Sequence, residues 1–152
     1  MLTRRKFVKF SAALPALGLL SRPAFAAKPE IYASGGVAIN GYDAVAYFQE
    51  AAPVPGDAAY TVEWKGVIWQ FSRAENRDAF AAAPDDFAPQ YGGYCAYALS
   101  KGAIAKTSPD AWTVHGGKLY LNYDVSVRSI WQQDIPGNIS LADENWPAVL
   151  SA

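Results

Sequence analysis

The sequence predicts an α+β fold, a small single domain with two β-hairpins and several short helices packed on one core. Two runs rich in β-branched and aromatic residues, at 60–71 and 111–122, each contain glycines at a central turn, which is typical of a hairpin. Capping residues and prolines recur at short intervals around these runs, which predicts several short helices. The chain shows no internal repeat that would indicate a second domain.

The first 26 residues contain the three parts of an export signal. Arg4 and Arg5 precede an apolar stretch at 10–20, which is too short to span a bilayer comfortably. The small-residue cleavage site Ala24-Phe25-Ala26 follows. This order predicts a twin-arginine signal peptide over 1–26. We therefore expect a periplasmic or otherwise exported prokaryotic protein with no membrane span after cleavage.

The rest of the chain is acidic. Residues 27–152 carry 8 basic and 14 acidic side chains, a formal net charge of −6. Scattered acidic charge excludes nucleic acid as a partner, because phosphate binding needs clustered Lys and Arg. This length predicts one domain over 41–150, preceded by an N-terminal extension over 27–40 that we expect to run across the surface.

Local signals predict the elements of the first half. Asp43 is placed to cap a short helical turn through its carboxylate. Lys65-Gly66 joins the two strands of the first hairpin. Ser72, with Glu75 three residues on, matches a capping box that opens a helix over 73–83.

The second half continues the same pattern. His115-Gly116-Gly117 forms the predicted turn of the second hairpin. Asp124 is expected to cap a helix that runs through Gln133. Pro136-Gly137 is expected to break that helix before a last short one over 139–146.

The central stretch at 91–97 holds the only cysteine of the chain, Cys95. The paired glycines favour a tight turn or a close backbone approach. A short helix is expected to follow the turn, which would place the thiol near a helix N-terminus that stabilises a thiolate. The residues predicted to form the thiol environment are Tyr91, Gly92, Gly93, Tyr94 and Tyr97.

A metal site is one function that these residues allow. Cys95 and His115 are the only soft or borderline ligands apart from Met1, whereas zinc and copper sites normally use three or four. The chain can offer one thiolate, one imidazole and a carboxylate such as Asp43, or it can share a site across a homodimer. No catalytic residue set is assigned.

Two alternatives remain open. Cys95 can serve thiol-redox chemistry through sulfenic acid, although the chain has no Cys-x-x-Cys motif, or it can be an inert packing thiol. The abundant aromatic residues supply core volume, or they line a ligand pocket formed by Tyr42, Tyr47, Trp69 and Tyr97. The pocket alternative predicts a non-catalytic binding or accessory module with an exported partner protein.

Several stretches of the chain resemble the YHS-domain proteins, in particular the exported branch labelled YHS domain-containing (seleno)protein. These stretches are 41–48 (GYDAVAYF), 69–72 (WQFS), 76–80 (NRDAF), 84–96 with its run YGGYCA, 117–123 (GKLYLNY), 134–137 (DIPG) and 142–146 (ADENW). The resemblance spans roughly residues 40 to 147.

The resemblance implies metal handling, with copper expected before zinc or iron, centred on Cys95. The family's usual cysteine positions are equivalent to Ala46, Ser72 and Asn76, which are not thiolate ligands, so that site is not expected here. The branch label implies that some members carry selenocysteine, which at the Cys95 position would favour redox or soft-metal chemistry. His115 is not part of the branch's motif.

Overall fold

The structure, a computed structural model, describes residues 27–152 and confirms an α+β fold with two hairpins and several short helices. The signal peptide predicted over 1–26 lies outside the described residues. The strands are β1 Ala33–Ser34, β2 Val37–Ala38, β3 Asp57–Trp64, β4 Val67–Phe71, β5 Trp112–His115 and β6 Lys118–Leu121. The helices are α1 Ala46–Gln49, α2 Ala74–Ala82, α3 Pro84–Phe87, α4 Ala96–Ser100, α5 Val125–Trp131 and α6 Ile135–Asn145. Single 3₁₀ turns occur at Ile39–Gly41, Gln90–Gly93, Gln132–Asp134 and Ala148–Ser151.

Both predicted hairpins are present. β3 and β4 pair antiparallel and end in the pair Trp64 and Val67, which leaves Lys65-Gly66 as the turn. β5 and β6 form a separate two-stranded sheet. The larger sheet has the order β1-β2-β4-β3.

The segment at 27–40, predicted to run across the surface, also contributes two strands and buried side chains to the fold. Its strand β2 pairs in parallel with β4 through Val37 and Ile68. Ile31 and Ile39 are buried because their apolar side chains pack into the core. The N–H of Lys28 donates to the carbonyl of Leu150 at 2.8 Å, which ties the start of the domain to its last turn.

Asp43 caps the short turn that leads into α1, as predicted, and it also bonds a second element. Its Oδ1 accepts the N–H groups of Val45 and Ala46 at 2.9 and 3.1 Å. Its Oδ2 accepts the Ser72 hydroxyl at 2.7 Å. The capping box predicted at Ser72 was therefore wrong, because this hydroxyl bonds Asp43 and α2 has no side-chain cap.

The last two helices are partly as predicted. Asp124 accepts the N–H of Val127 at 2.8 Å and caps α5. Pro136-Gly137 was predicted to break the helix that Asp124 caps, but it lies in the first turn of the next helix, α6. Asp134 caps α6. Proline is tolerated at that position because its missing N–H would have no partner inside the helix.

The core has two parts, and β6 contributes to both. Leu119 and Leu121 pack with the aromatic residues of the first sheet and α2. Tyr120, between them, packs with Trp131 and with α4 and α6. Alternate residues of a strand point to opposite faces, so β6 separates the two clusters. Among residues 27–152, no helix is both long and apolar enough to cross a membrane.

Candidate functional site: the Cys95 thiol and the adjacent groove

The glycine pair before Cys95 is required by a close backbone approach. Gly92 and Gly93 have φ values of 62° and 87°, in the left-handed region that glycine adopts without strain. A Cβ on Gly92 would collide with the carbonyl of Glu30, and one on Gly93 would lie 2.6 Å from Ile39. The glycines therefore let the 30–39 segment pack directly against the turn.

Cys95 lies at the N-cap of α4, which confirms its predicted place before a short helix. Its carbonyl accepts the N–H of Leu99 at 3.0 Å, the first bond of that helix. Its own N–H donates to the carbonyl of Ala105 at 3.0 Å. The backbone of the cysteine is therefore fixed from both sides.

The sulfur is buried but has polar partners. Cys95 is 1% exposed, and its Sγ accepts the backbone N–H of Tyr123 at 3.2 Å. The thiol lies 3.6 Å from the Oδ1 of Asn122, to which its S–H can donate. The same Oδ1 accepts the N–H of Tyr97 at 3.1 Å, which fixes the orientation of the amide. A thiol present only for packing needs neither partner.

The other end of the Asn122 amide is unpaired. Asn122 is fully buried, and within the part of the chain that the structure describes its Nδ2 has no hydrogen-bond partner. Such unsatisfied buried donors are uncommon in folded proteins because desolvation without a partner is costly. One buried donor beside the thiol therefore has no partner among residues 27–152.

The tyrosines predicted to surround the thiol hold the turn through their hydroxyl groups. The Tyr91 hydroxyl bonds Asp143 at 2.9 Å, and the Tyr94 hydroxyl donates to the carbonyl of Pro29 at 2.8 Å. Burial, together with the bond to Asp143, raises the pKa of Tyr91, and burial also raises the pKa of Tyr94. Among these tyrosines, only Tyr97 contacts a hydrogen-bond partner of the thiol. Its backbone N–H donates to the Asn122 amide oxygen.

The structure does not bring His115 to Cys95. His115 is exposed at the turn end of the second hairpin, opposite Lys118. Asn122, the neighbour of the thiol, lies four residues beyond Lys118, about 13 Å along an extended chain. The imidazole and the thiol therefore occupy opposite ends of the hairpin.

Asp43 is not a free ligand either. Its carboxylate is fully buried and accepts hydrogen bonds from Val45, Ala46, Ser72 and Asn76. Across residues 27–152, no group of three or more His, Cys, Asp and Glu side chains could hold a metal ion. The predicted ligand trio of Cys95, His115 and Asp43 is therefore not assembled.

The aromatic pocket predicted from Tyr42, Tyr47, Trp69 and Tyr97 is not formed. Tyr47 and Trp69 are each 1% exposed and fill the first core cluster, whereas the ring of Tyr97 packs against the second. The Tyr47 hydroxyl donates to the carbonyl of Pro109 at 2.9 Å, and burial raises its pKa. These rings supply core volume.

An open groove of about 560 Å³ is lined in part by Tyr123, which donates its N–H to the thiol sulfur. We call it the Lys106 groove, and its lining residues are Tyr32, Ser34, Asn40, Lys106, Thr107, Ser108, Pro109 and Tyr123. Its volume is within the range of small-molecule sites.

The wall of the Lys106 groove contacts the Cys95 turn. Thr107 donates its hydroxyl to the carbonyl of Gly93 at 2.8 Å, and Tyr123 donates its N–H to the sulfur. Asn40 donates its amide to the carbonyl of Thr107 at 2.9 Å from a backbone with φ of 59°, a conformation that asparagine tolerates. The hydrogen bonds made by Thr107 and Tyr123 therefore connect the groove wall to the Cys95 turn.

Reasoning from the sequence missed Asn122, Tyr123 and Lys106. One signal was available for Asn122, a polar residue directly after the apolar run 119–121. No comparable pattern marks the other two, because they meet the thiol or the groove only in the folded chain.

Comparison of the chain with models of known protein families, with curated proteins and with solved structures gave no match. The similarity to YHS-domain proteins therefore stays a prediction from the sequence.

Proposed function

We propose that this protein is an exported thiol-redox protein of YHS type, in which Cys95 is reversibly oxidised by a peroxide. The observation that carries the proposal is the hydrogen bond from the Tyr123 N–H to the Cys95 sulfur at 3.2 Å. The bond fixes the sulfur beside Tyr123, which also lines the Lys106 groove, and a cysteine sulfur can be oxidised to sulfenic acid.

The reaction uses one thiolate and one peroxide. The sulfur attacks one peroxide oxygen, the S–O bond forms and the O–O bond breaks. The products are the Cys95 sulfenic acid and, after one proton is taken up, water or an alcohol. A second peroxide would carry the sulfenic acid on to sulfinic acid, so reversible oxidation stops after the first.

Labelling of sulfenic acid tests this function. The folded protein is treated with hydrogen peroxide and then with a cyclic 1,3-dione, and labelled Cys95 is measured by mass spectrometry. We expect stoichiometric labelling in the native protein and none in Cys95→Ser. Labelling that occurs only after unfolding would identify an inert packing thiol.

Binding of a soft or borderline metal ion, with copper before zinc or iron, is the second candidate. The observation that favours it is the Cys95 sulfur, a soft ligand whose neighbour at 3.6 Å is the Asn122 amide oxygen. Cys95 would then be the single soft ligand from this chain. The remaining ligands would come from an exported partner protein, a second copy of the chain or a small ligand.

Metal content separates the two candidates. The native protein is purified from its exported compartment and compared with Cys95→Ser and His115→Ala. Metal binding at Cys95 predicts that Cys95→Ser loses the ion and that His115→Ala keeps it, since His115 lies at the far end of the hairpin. Equal metal content in all three proteins would remove the metal function.

A further inference from the structure

The Lys106 groove differs in charge from two other pockets of the described chain. Lys106 is its one charged lining residue. A pocket beside Trp64 combines Lys65 with Glu30 and Asp85, and a pocket beside the second hairpin combines Lys118 with two aspartates. The Lys106 groove is therefore a cationic site in a chain whose net charge is negative.

The charge on Lys106 is available to a ligand. Lys106 is exposed, and within residues 27–152 it forms no salt bridge. Its Nζ lies 5.9 Å from the centre of the Tyr123 ring, which is 44% exposed. Ser34 and Ser108 add polar lining, and the exposed Tyr123 ring adds apolar surface. The groove therefore suits a small anion with a short apolar part.

The single cysteine sets a chemical requirement on the proposed redox cycle. Cys95 is the only cysteine of the chain, so a sulfenic acid formed there has no second thiol in the same molecule to reduce it. The reductant must then be an external thiol, and it must approach through the elements that cover the sulfur. Tyr123 covers the sulfur with its N–H and lines the Lys106 groove.

We propose that the Lys106 groove binds a low-molecular-weight thiol that carries a carboxylate, and that this thiol reduces oxidised Cys95. The carboxylate pairs with Lys106, and the thiol end lies toward Tyr123 and Thr107. This inference rests on the proposed redox function, because it names the reductant of the same cysteine.

Both reduction steps balance without a further reactant. The first external thiol attacks the sulfenic sulfur, the S–S bond forms, the S–O bond breaks and water leaves. A second external thiol attacks the mixed disulfide and releases Cys95 as a thiol together with the external disulfide. The approach requires Tyr123, whose N–H bonds the sulfur, to move away, since Cys95 is 1% exposed.

The kinetic test compares two thiols of equal length, 3-mercaptopropionate and 3-mercapto-1-propanol, on peroxide-treated protein. Formation of the mixed disulfide is followed by mass spectrometry at low ionic strength. We expect the carboxylate thiol to react about fivefold faster, which is the size of one exposed ion pair. Equal rates for the two thiols in the unmodified protein would overturn the proposal.

Two variants locate the effect. Lys106→Glu is expected to abolish the preference for the carboxylate thiol. Lys101→Glu is the matched control, because the Lys101 Nζ also lies over a tyrosine ring, at 5.1 Å from Tyr97, but outside the groove. A preference that survives in Lys106→Glu, or is lost equally in Lys101→Glu, would contradict the proposed site.

A binding measurement separates this inference from the redox function. Cys95→Ser is titrated with 3-mercaptopropionate while backbone amide NMR signals are recorded. Saturable shifts centred on Lys106, Thr107 and Tyr123 support the groove even if Cys95 itself is never oxidised. If the shifts are absent, or are equal with 3-mercapto-1-propanol, the groove proposal is wrong whatever the peroxide experiment shows.

Discussion

Tyr123 donates its backbone N–H to the sulfur of Cys95, a residue 28 positions earlier in the chain, at 3.2 Å. The bond joins the end of the second hairpin to the start of α4. Asn122, next to Tyr123, reinforces the same junction through its amide oxygen. The polar environment of the thiol therefore exists only in the folded domain.

The first prediction concerns the coupling between Cys95 and Asn122. We expect Asn122→Ala to lower the free energy of unfolding by about 2 kcal/mol, because the Tyr97 N–H and the thiol both lose their acceptor. A double-mutant cycle with Cys95→Ala, measured by denaturant unfolding, should give a coupling energy of about 0.5 to 1 kcal/mol. Simple additivity of the two changes would show that the thiol and the amide do not interact.

The second prediction concerns the close approach at Gly92. Gly92→Ala is expected to lower the free energy of unfolding by about 3 kcal/mol or more, since it adds a collision with the Glu30 carbonyl to a strained φ. Gly117→Ala is the control, because Gly117 has φ of 74° but open space around it. Gly117→Ala should lower the free energy of unfolding only by the cost of placing alanine at a positive φ, about 1 to 2 kcal/mol. Equal losses would contradict the packing argument.

The third prediction concerns the buried carboxylate of Asp43. Asp43→Asn is expected to destabilise the domain by about 3 kcal/mol, because one of its oxygens becomes an NH₂ group that faces existing donors. Asp57→Asn is the control, since Asp57 is exposed and accepts a single N–H. Its change should stay below about 0.5 kcal/mol in thermal or denaturant unfolding. A small loss in Asp43→Asn would show that the carboxylate charge is not needed for its bonds.

The fourth prediction concerns alkaline pH. Burial and the bond to Asp143 raise the pKa of Tyr91, so the unfolded chain releases this proton at lower pH than the folded one. Stability should therefore be unaffected by this group below about pH 10 and should fall as pH rises above it. Tyr91→Phe should make that decline shallower in unfolding curves measured at several alkaline pH values. An unchanged slope would contradict a buried, neutral Tyr91.

At neutral pH the same variant isolates the hydrogen bond. Tyr91→Phe is expected to cost about 1 kcal/mol, a modest value because Asp143 is exposed to solvent. Asp143→Asn, which keeps a hydrogen-bonding side chain, should cost less. The comparison distinguishes the charge of Asp143 from its role as an acceptor.

Local signals were sufficient for the hairpins and for two helix caps. Lys65-Gly66 and Gly116-Gly117 contain the glycines that hairpin turns favour. Asp43 and Asp124 accept N–H groups within three residues of their own position. Strands β1 and β2 could not be predicted, because each has two residues and so shows no periodicity. β1 pairs with β2, and β2 pairs with β4, a partner that only the complete fold supplies.

The candidate site was predictable only at its centre. The single cysteine and the paired glycines identify Cys95 and the turn before it. Its partners Asn122 and Tyr123 are more than 25 residues away, and nothing in their local sequence links them to a thiol. Ser72 was also mispredicted from local sequence. Its spacing to Glu75 indicates a helix cap, but its hydroxyl bonds the distant Asp43 instead.

The hydrogen bond between Lys28 and Leu150 affects when the domain can fold during its synthesis. Tyr32 donates its N–H to the carbonyl of Gly92, and Lys28 donates to Leu150 in the last turn, so the native structure needs nearly the whole chain to be synthesised. Contacts between distant parts of a chain also slow folding. We therefore expect nascent chains that lack the C-terminal turn to remain protease-sensitive, with the thiol unprotected until synthesis is complete.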